Sequence, residues 1–296
     1  SPVISFPEEN QTYHTFLMDS SREILHEWVH DKATASTPYL LSDSTLLRPC
    51  KITPPIFDAG GAGGLIQLVS WSNEILWEYQ MMNVNESQHH DIEPLPNGNI
   101  LVIAWEKKTD TEAYAVGRQS IDNPLNEMWA EALLEVEPVG TNEANIVWEW
   151  HIWDHLIQDV DPGLPGFGVI SEHPELQDVN YGNAGTSQGP GGPTGDWKHL
   201  NAVNYNSELD QIVISSRHHD EIYIIDHSTT TEEAAGHTGG NSGMGGDYLY
   251  RWGNPQAYGR GNNSDHQLAS QHGVNWIPQG YPGEGNLVLF NNNYTN

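Results

Sequence analysis

Positive charge is scarce in this 296-residue chain: 11 Lys and Arg face 40 Asp and Glu, for a net charge of −29. Charged residues make up 17% of the chain, against roughly 25% in an average soluble protein, so the acidity reflects missing cations more than added carboxylates. A surface of this sign repels phosphate backbones, which argues against nucleic acid as a partner. A small anionic substrate would need a locally positive site. Sulfhydryls are scarcer still. Cys50 is alone, so no intrachain disulfide is possible, a state that fits the cytosol and equally a secreted protein that does without disulfides. No apolar run approaches the roughly eighteen residues needed to span a bilayer, which excludes a membrane-spanning helix. The chain opens at Ser1, with neither Met nor a signal-like stretch, and the expectation is a removed leader or a late start. Four Asn-X-Ser/Thr sequons (Asn10, Asn85, Asn262, Asn293) are about what chance gives at this Asn content.

Amphipathic helical periodicity is also nearly absent. What is present is Gly (29), Pro (18), Trp (11) and Tyr (12), the composition of an all-β chain. One phrase recurs: Ile24-Leu-His-Glu-Trp28, Ile75-Leu-Trp-Glu-Tyr79, Ile146-Val-Trp-Glu-Trp150 and Tyr248-Leu-Tyr-Arg-Trp252. Each reads as the outer strand closing a four-stranded unit. Each is followed by a linker and a hairpin: Tyr39 to Arg48, His90 to Ile103, His199 to Ser216, and His272 to Phe290. Pro96-Asn97-Gly98 is the turn of the second, because Asn and Gly tolerate the positive φ that a tight turn needs. Regular units with a recurring aromatic signature predict a β-propeller over residues 1–296, a single domain with a loop insertion at 161–195.

The repeat gives the histidines a shared position. Three of the four hairpins open on one: His90-Asp91, His199-Leu200-Asn201 and His272-Gly273. Strand alternation predicts Asn201 on the face of His199, with Ile92 and Val274 on those of His90 and His272. Since the first strand of a blade is innermost, the three imidazoles should converge at one end of the channel. The first unit carries Tyr39 or Leu40 there instead, so the fold itself does not require His.

At "DWKHLNAVNYNSELDQIVISSRHHDEIYIID" (Asp196 to Asp226) the chain resembles the bacterial aryl-sulfate sulfotransferases. The likeness extends to "HHDIEPLPNGNIL", "IVWEWHIWDHL", "GHTGGNSGMGGDYLYRWGNP" and "QHGVNWIP", and covers most of the chain from about Thr12. The resemblance implies a six-bladed propeller, usually exported (secreted or periplasmic), that moves a sulfuryl group from a phenolic sulfate to a phenol. It implies no nucleotide or other cofactor, no metal, and a transiently sulfated histidine. Carried over by motif, His272 is the nucleophile and His199 the acid or base at the bridging oxygen. Asn201 and Arg217 grip sulfuryl oxygens, and His90 is a further donor, with His89 an open alternative. Arg217 has a plainer reading as a surface ion pair with Asp220 or Glu221. Six blades need more chain than this, so the last blade is expected to be missing or incomplete. Its open edge could then be covered by a neighbour in a homo-oligomer or filament. The rival function is a non-catalytic extracellular propeller serving binding or assembly.

Other constellations carry less. His151 and His155 stand at i, i+4, a spacing that shares a metal on a helix, but a buried short helix anchored by Trp150 and Trp153 is the favoured reading. "DVDPG" (Asp159 to Gly163) lacks the terminal Glu of a calcium loop. His218-His219-Asp220 could bind a metal or flank the site, but a strand-end hairpin is the favoured reading. Two Gly-rich stretches, 161–195 and Gly236 to Gly246, read either as surface loops or as the rim of a funnel above the histidines.

Overall fold

The structure, a computed structural model, describes residues 3–7, 12–189 and 191–292; the sequons at Asn10 and Asn293 lie outside the described residues. Strands dominate it. β1 (Val3–Pro7), β2 (Tyr13–Met18) and β3 (Ile24–His30) form the first antiparallel sheet. β4 (Tyr39–Leu40), β5 (Leu46–Lys51), β6 (Gly64–Val69) and β7 (Ile75–Gln80) form the second. The third comprises β8 (Glu86–Pro94), β9 (Ile100–Thr109), β10 (Glu127–Val139) and β11 (Glu143–His151). Two short pairs follow, β12 (Leu156–Ile157) with β13 (Gln177–Asp178), and β14 (Thr186–Gly189) with β15 (Gly192–Thr194). β16 (Leu200–Asn206), β17 (Gln211–Ser216), β18 (Glu221–Asp226) and β19 (Tyr250–Trp252) make the fourth sheet. Finally, β20 (His272–Trp276) pairs with β21 (Leu287–Phe290). Helix is confined to α1 (Asp110–Ala115), α2 (Thr231–Ala234) and a few single turns. The chain is all-β.

The middle strands are apolar at consecutive positions because both of their faces are covered. Leu46 packs with Leu17 and Trp28 of the first sheet, while Leu47 packs with Ile92 and Ile100 of the third. Val102 joins that same second-to-third layer, whereas Leu101 and Ile103 turn to Leu200, Ile212 and Ile214 of the fourth. Val213, between Ile212 and Ile214, packs against Val274 of the last pair. The sheets therefore stack in chain order, with one apolar layer between each and the next. Fully burying each such side chain contributes about 1.5–3 kcal/mol.

The recurring phrase supplies the pins between sheets. Its third residue reaches the neighbouring sheet three times: His26 Nε2–H donates to the Trp71 carbonyl, Trp77 to that of Glu143, and Trp148 to Thr229 Oγ1. In the fourth copy that residue is Tyr250, which is 49% exposed and has Trp252, Val288 and Phe290 exposed nearby on β19 and β21. The first strands β8, β16 and β20 of successive sheets lie against one another. At the β8–β9 turn Gly98 sits at φ 90° and donates to the Leu95 carbonyl at 3.0 Å.

One expected element is absent. Residues 150–159 are not a helix, because β11 runs on to His151, paired with Ala132. Only Ile152–Asp154 makes a helical turn before β12 begins. Trp150 is buried as expected, but as a strand residue. His151 and His155 consequently lose helical spacing and take different partners.

Candidate active site

Each histidine of the repeat lies where its strand breaks regular pairing. His90 and His199 adopt left-handed backbone, φ 49° and 54°, and Ser270 and Gly273 do so on either side of His272. Such a conformation costs a non-glycine residue of order 1–2 kcal/mol. It coincides with bulges between Gln88 and Ile92, and between Leu200 and Ala202. The bulge defeats the simple alternation expected from sequence: Leu200 and Ala202, two apart, face opposite apolar layers.

The rings of His90 and His199 meet edge to face at 4.4 Å, and His218 lies 4.8 Å beyond His199. His272 opens β20, which packs against β16, but among the described residues its ring makes no ring contact with these three and lines neither of the cavities described below. Of the two adjacent histidines, His90 is the one that faces this group. His89 is fully buried, stacked on Trp105 at 3.9 Å, with Nε2 2.8 Å from Glu131 and Nδ1 2.9 Å from His90 Nδ1. Glu131 also accepts from the Leu200 amide at 3.0 Å, so this buried pair locks β10 to the start of β16.

Hydrogen-bond partners orient the rings. Asp196 Oδ2 takes the Nδ1–H of His199 at 2.5 Å while its Oδ1 accepts from the Trp105 indole at 3.1 Å. His199 Nε2 is then the uncommitted atom. His272 Nδ1 lies 3.0 Å from the Ser270 carbonyl, to which it can only donate, and 3.0 Å from the Asn292 amide nitrogen, from which it can only accept; the Ser270 bond leaves the lone pair on Nε2 and the Asn292 bond leaves the proton there. Burial holds the His272 ring below its ordinary pKa; the Ser270 bond opposes this, and His199 and Arg217 add to it. His90 is held well below the ordinary value by burial, then by His199, His89, His272 and His218. Burial alone would raise Asp196, but His199 outweighs it and holds the carboxyl below its usual value.

Arg217 forms no ion pair among the described residues. Both carboxylates of its plainer reading are engaged elsewhere, Glu221 with Arg251 at 2.5 Å and Asp220 with His266 at 3.1 Å. Its guanidinium instead lines two adjoining cavities of about 420 and 410 Å³, with His218 and Asp196 on both and His199 on the second. Thr186 and Thr194, from the 161–195 stretch, line both cavities as well. The other Gly-rich stretch, Gly236 to Gly246, does not line these cavities; it folds against α2 and His155. Asn201 is buried and spends an N–H on the Gln271 carbonyl at 2.7 Å, next to His272, while its Oδ1 has no partner among the described residues.

Three further contributors come from outside the repeat. Asp196 and His218 lie in loops, outside the phase of the repeat; the His-His-Asp run after Arg217 was the only hint of the second. The third is the β5–β6 loop, where Phe57 anchors against Trp105 and Trp129 and carries Gly60 and Gly61 onto the imidazoles. A Cβ on Gly61 would come within 2.2 Å of His90, and its carbonyl accepts from the His90 amide at 2.7 Å. Only glycine fits there. Asp196, His199 and His218 also bring three donor atoms within 4.8 Å of one another, a set able to hold a divalent ion.

The family model for arylsulfotransferase (ASST) matches residues 75–296, which include all these histidines and Arg217. The chain belongs to the arylsulfotransferase family. No curated protein matches this arylsulfotransferase-family chain. Among solved structures it is similar to a protein of unknown function from Bacteroides caccae, at 9% identity and a TM-score of 0.44. That likeness covers 98% of this chain but 65% of the other, so the chain spans less than two thirds of that protein's length. Hydrazine synthase of Kuenenia stuttgartiensis is similar at 11% identity and TM-score 0.43, over 95% and 68% of the two chains. Among the described residues no helix is long and apolar enough to cross a membrane.

Proposed function

We propose that this arylsulfotransferase-family chain is a β-propeller enzyme that carries a sulfuryl group from an aryl sulfate to a phenol on His272. The observation that carries the reading is Arg217, an unpaired guanidinium on a cavity shared with His199 and His218 in a chain of net charge −29. An anion is what such a site attracts. In the first half-reaction the His272 Nε2 lone pair forms an N–S bond as the S–O(aryl) bond breaks. The leaving phenolate takes a proton from protonated His199. In the second, an acceptor phenol returns a proton to His199 Nε2 and its oxygen attacks sulfur, and the N–S electron pair goes back to His272. Arg217 and imidazole N–H groups bear the charge spread over the sulfuryl oxygens.

The test is turnover of nitrophenyl sulfate with a phenol acceptor. His272→Ala is expected to lose turnover by about a thousandfold or more, and Arg217→Lys to lose about tenfold, since Lys keeps the charge without the fork. Unchanged phenol release by folded His272→Ala protein overturns the nucleophile assignment.

A further inference from the structure

His155 is fully buried and has an acceptor at each ring nitrogen. Nε2 lies 2.8 Å from the Ala234 carbonyl, and Nδ1 lies 2.7 Å from Asp247 Oδ1. A carbonyl cannot donate, so Nε2 carries the proton. The neutral ring then aims its Nδ1 lone pair at a carboxylate oxygen. The same Oδ1 is approached by His237 Nδ1 at 2.8 Å. Three donor atoms thus converge on one point within 4.8 Å of one another. Either a second proton, on the ring or on the carboxyl, lies between Nδ1 and Asp247, or a cation stands among the three.

We propose that His155, His237 and Asp247 bind a zinc ion that ties the outer ends of the third and fourth sheets together. Two imidazole nitrogens and one carboxylate oxygen suit zinc, whereas calcium and magnesium prefer all-oxygen sets. An Nε2–H held by a backbone carbonyl is the outer-shell bond that orients a metal-binding histidine. The loop presenting the other two ligands is itself closed. Gly246 N donates to the Gly236 carbonyl at 3.0 Å and Gly245 N to that of Gly239 at 3.1 Å, so His237 and Asp247 flank a fixed ring of chain. The Trp150 indole bonds the Gly246 carbonyl at 2.7 Å and fastens that ring to β11. Zinc bonds of about 2.0–2.1 Å would spread the three donors to a little over 3 Å. His237, 59% exposed at its side chain, can supply that movement and leaves the fourth position to water. This site lies apart from the repeat histidines, and it is not the His151/His155 pair that sequence spacing suggested. His151 turns instead to Glu106 and Glu149.

Tag-free full-length protein, stripped with chelator, is titrated with zinc chloride alone by calorimetry, beside His237→Ala and His218→Ala. The second variant controls for the Asp196–His199–His218 set. The wild type is expected to bind zinc saturably, and zinc at a hundredfold excess over Kd to raise Tm by about 5 °C. His237→Ala is expected to lose one bound zinc, or at least about tenfold in affinity, and the Tm rise with it. His218→Ala keeps both. His237 is exposed enough that its removal leaves the zinc-free fold intact, and an unchanged zinc-free Tm checks this. No saturable binding by the wild type, or zinc binding lost in His218→Ala and unchanged in His237→Ala, overturns the proposal.

Discussion

Two groups in this molecule each combine two histidines with an aspartate, and they use them in opposite ways. At the inner strands, Asp196 holds His199 by Nδ1 alone, and Nε2 is left without a partner beside a cavity that Arg217 also lines. At the outer rim, His155 has both nitrogens engaged, by Asp247 and by Ala234, and lines neither of the Arg217 cavities. A ring with a free nitrogen can exchange protons with a substrate; a ring bound at both ends can only hold the fold or a metal. The composition of the two groups is the same. What separates function from support is the number of uncommitted ring atoms.

Asp196→Asn is the strongest way to break this contrast. Asn keeps one oxygen for the Trp105 indole but presents NH2 to His199, which must then accept at Nδ1 and carry its proton on Nε2. The expected result is a loss of about a thousandfold in kcat for aryl-sulfate turnover. Circular dichroism should show the variant folded. A kcat within a few-fold of wild type would mean that the His199 tautomer does not matter and that the inner group is support like the outer one.

Asp247→Ala should show the reverse signature. It leaves two imidazole nitrogens without a partner, one of them on a fully buried ring, and is expected to cost about 2–3 kcal/mol of stability in urea unfolding. Turnover by the folded fraction should stay within about twofold of wild type, since no side chain of this group lines the cavity. Loss of kcat at unchanged stability would erase the distinction from the other side.

The same contrast explains what the sequence disclosed. His90, His199 and His272 were legible because the aromatic phrase before them repeats, and a repeat fixes phase without any knowledge of loops. Arg217 was legible through scarcity and motif. Asp196 and the Gly60–Gly61 contact were not, and His218 only as the lesser reading of its run, because they come from connections that follow no period and meet only after the sheets stack. Asn201 was named by motif, and one of its N–H groups holds the main chain of Gln271 beside His272. The helix expected over residues 150–159 failed for a complementary reason. Pairing with β10 carries the strand through His151, and tertiary pairing overrides local spacing.

That failure leaves His151 and His155, four residues apart, as a smaller and sharper test. His151 stands 3.1 Å from Glu106 and 3.0 Å from Glu149, with its side chain about a quarter exposed. Burial works against its charge, but the Glu106 carboxylate, and then that of Glu149, outweigh it and raise the pKa from 6.5 to about 9. A histidine whose folded pKa lies above its unfolded value binds its proton more tightly when folded. The stability this gives is fully present below pH 6.5 and is lost as pH rises through about 9. His151→Gln should therefore be less stable than wild type by about 1–2 kcal/mol at pH 6. By pH 10 the two unfolding curves should nearly coincide. The zinc response assigned to His155 should be the same in both proteins at every pH, because His151 holds none of the three donor atoms. A His151→Gln deficit that stays constant from pH 6 to 10 would show that the ring is held by packing and not by its charge.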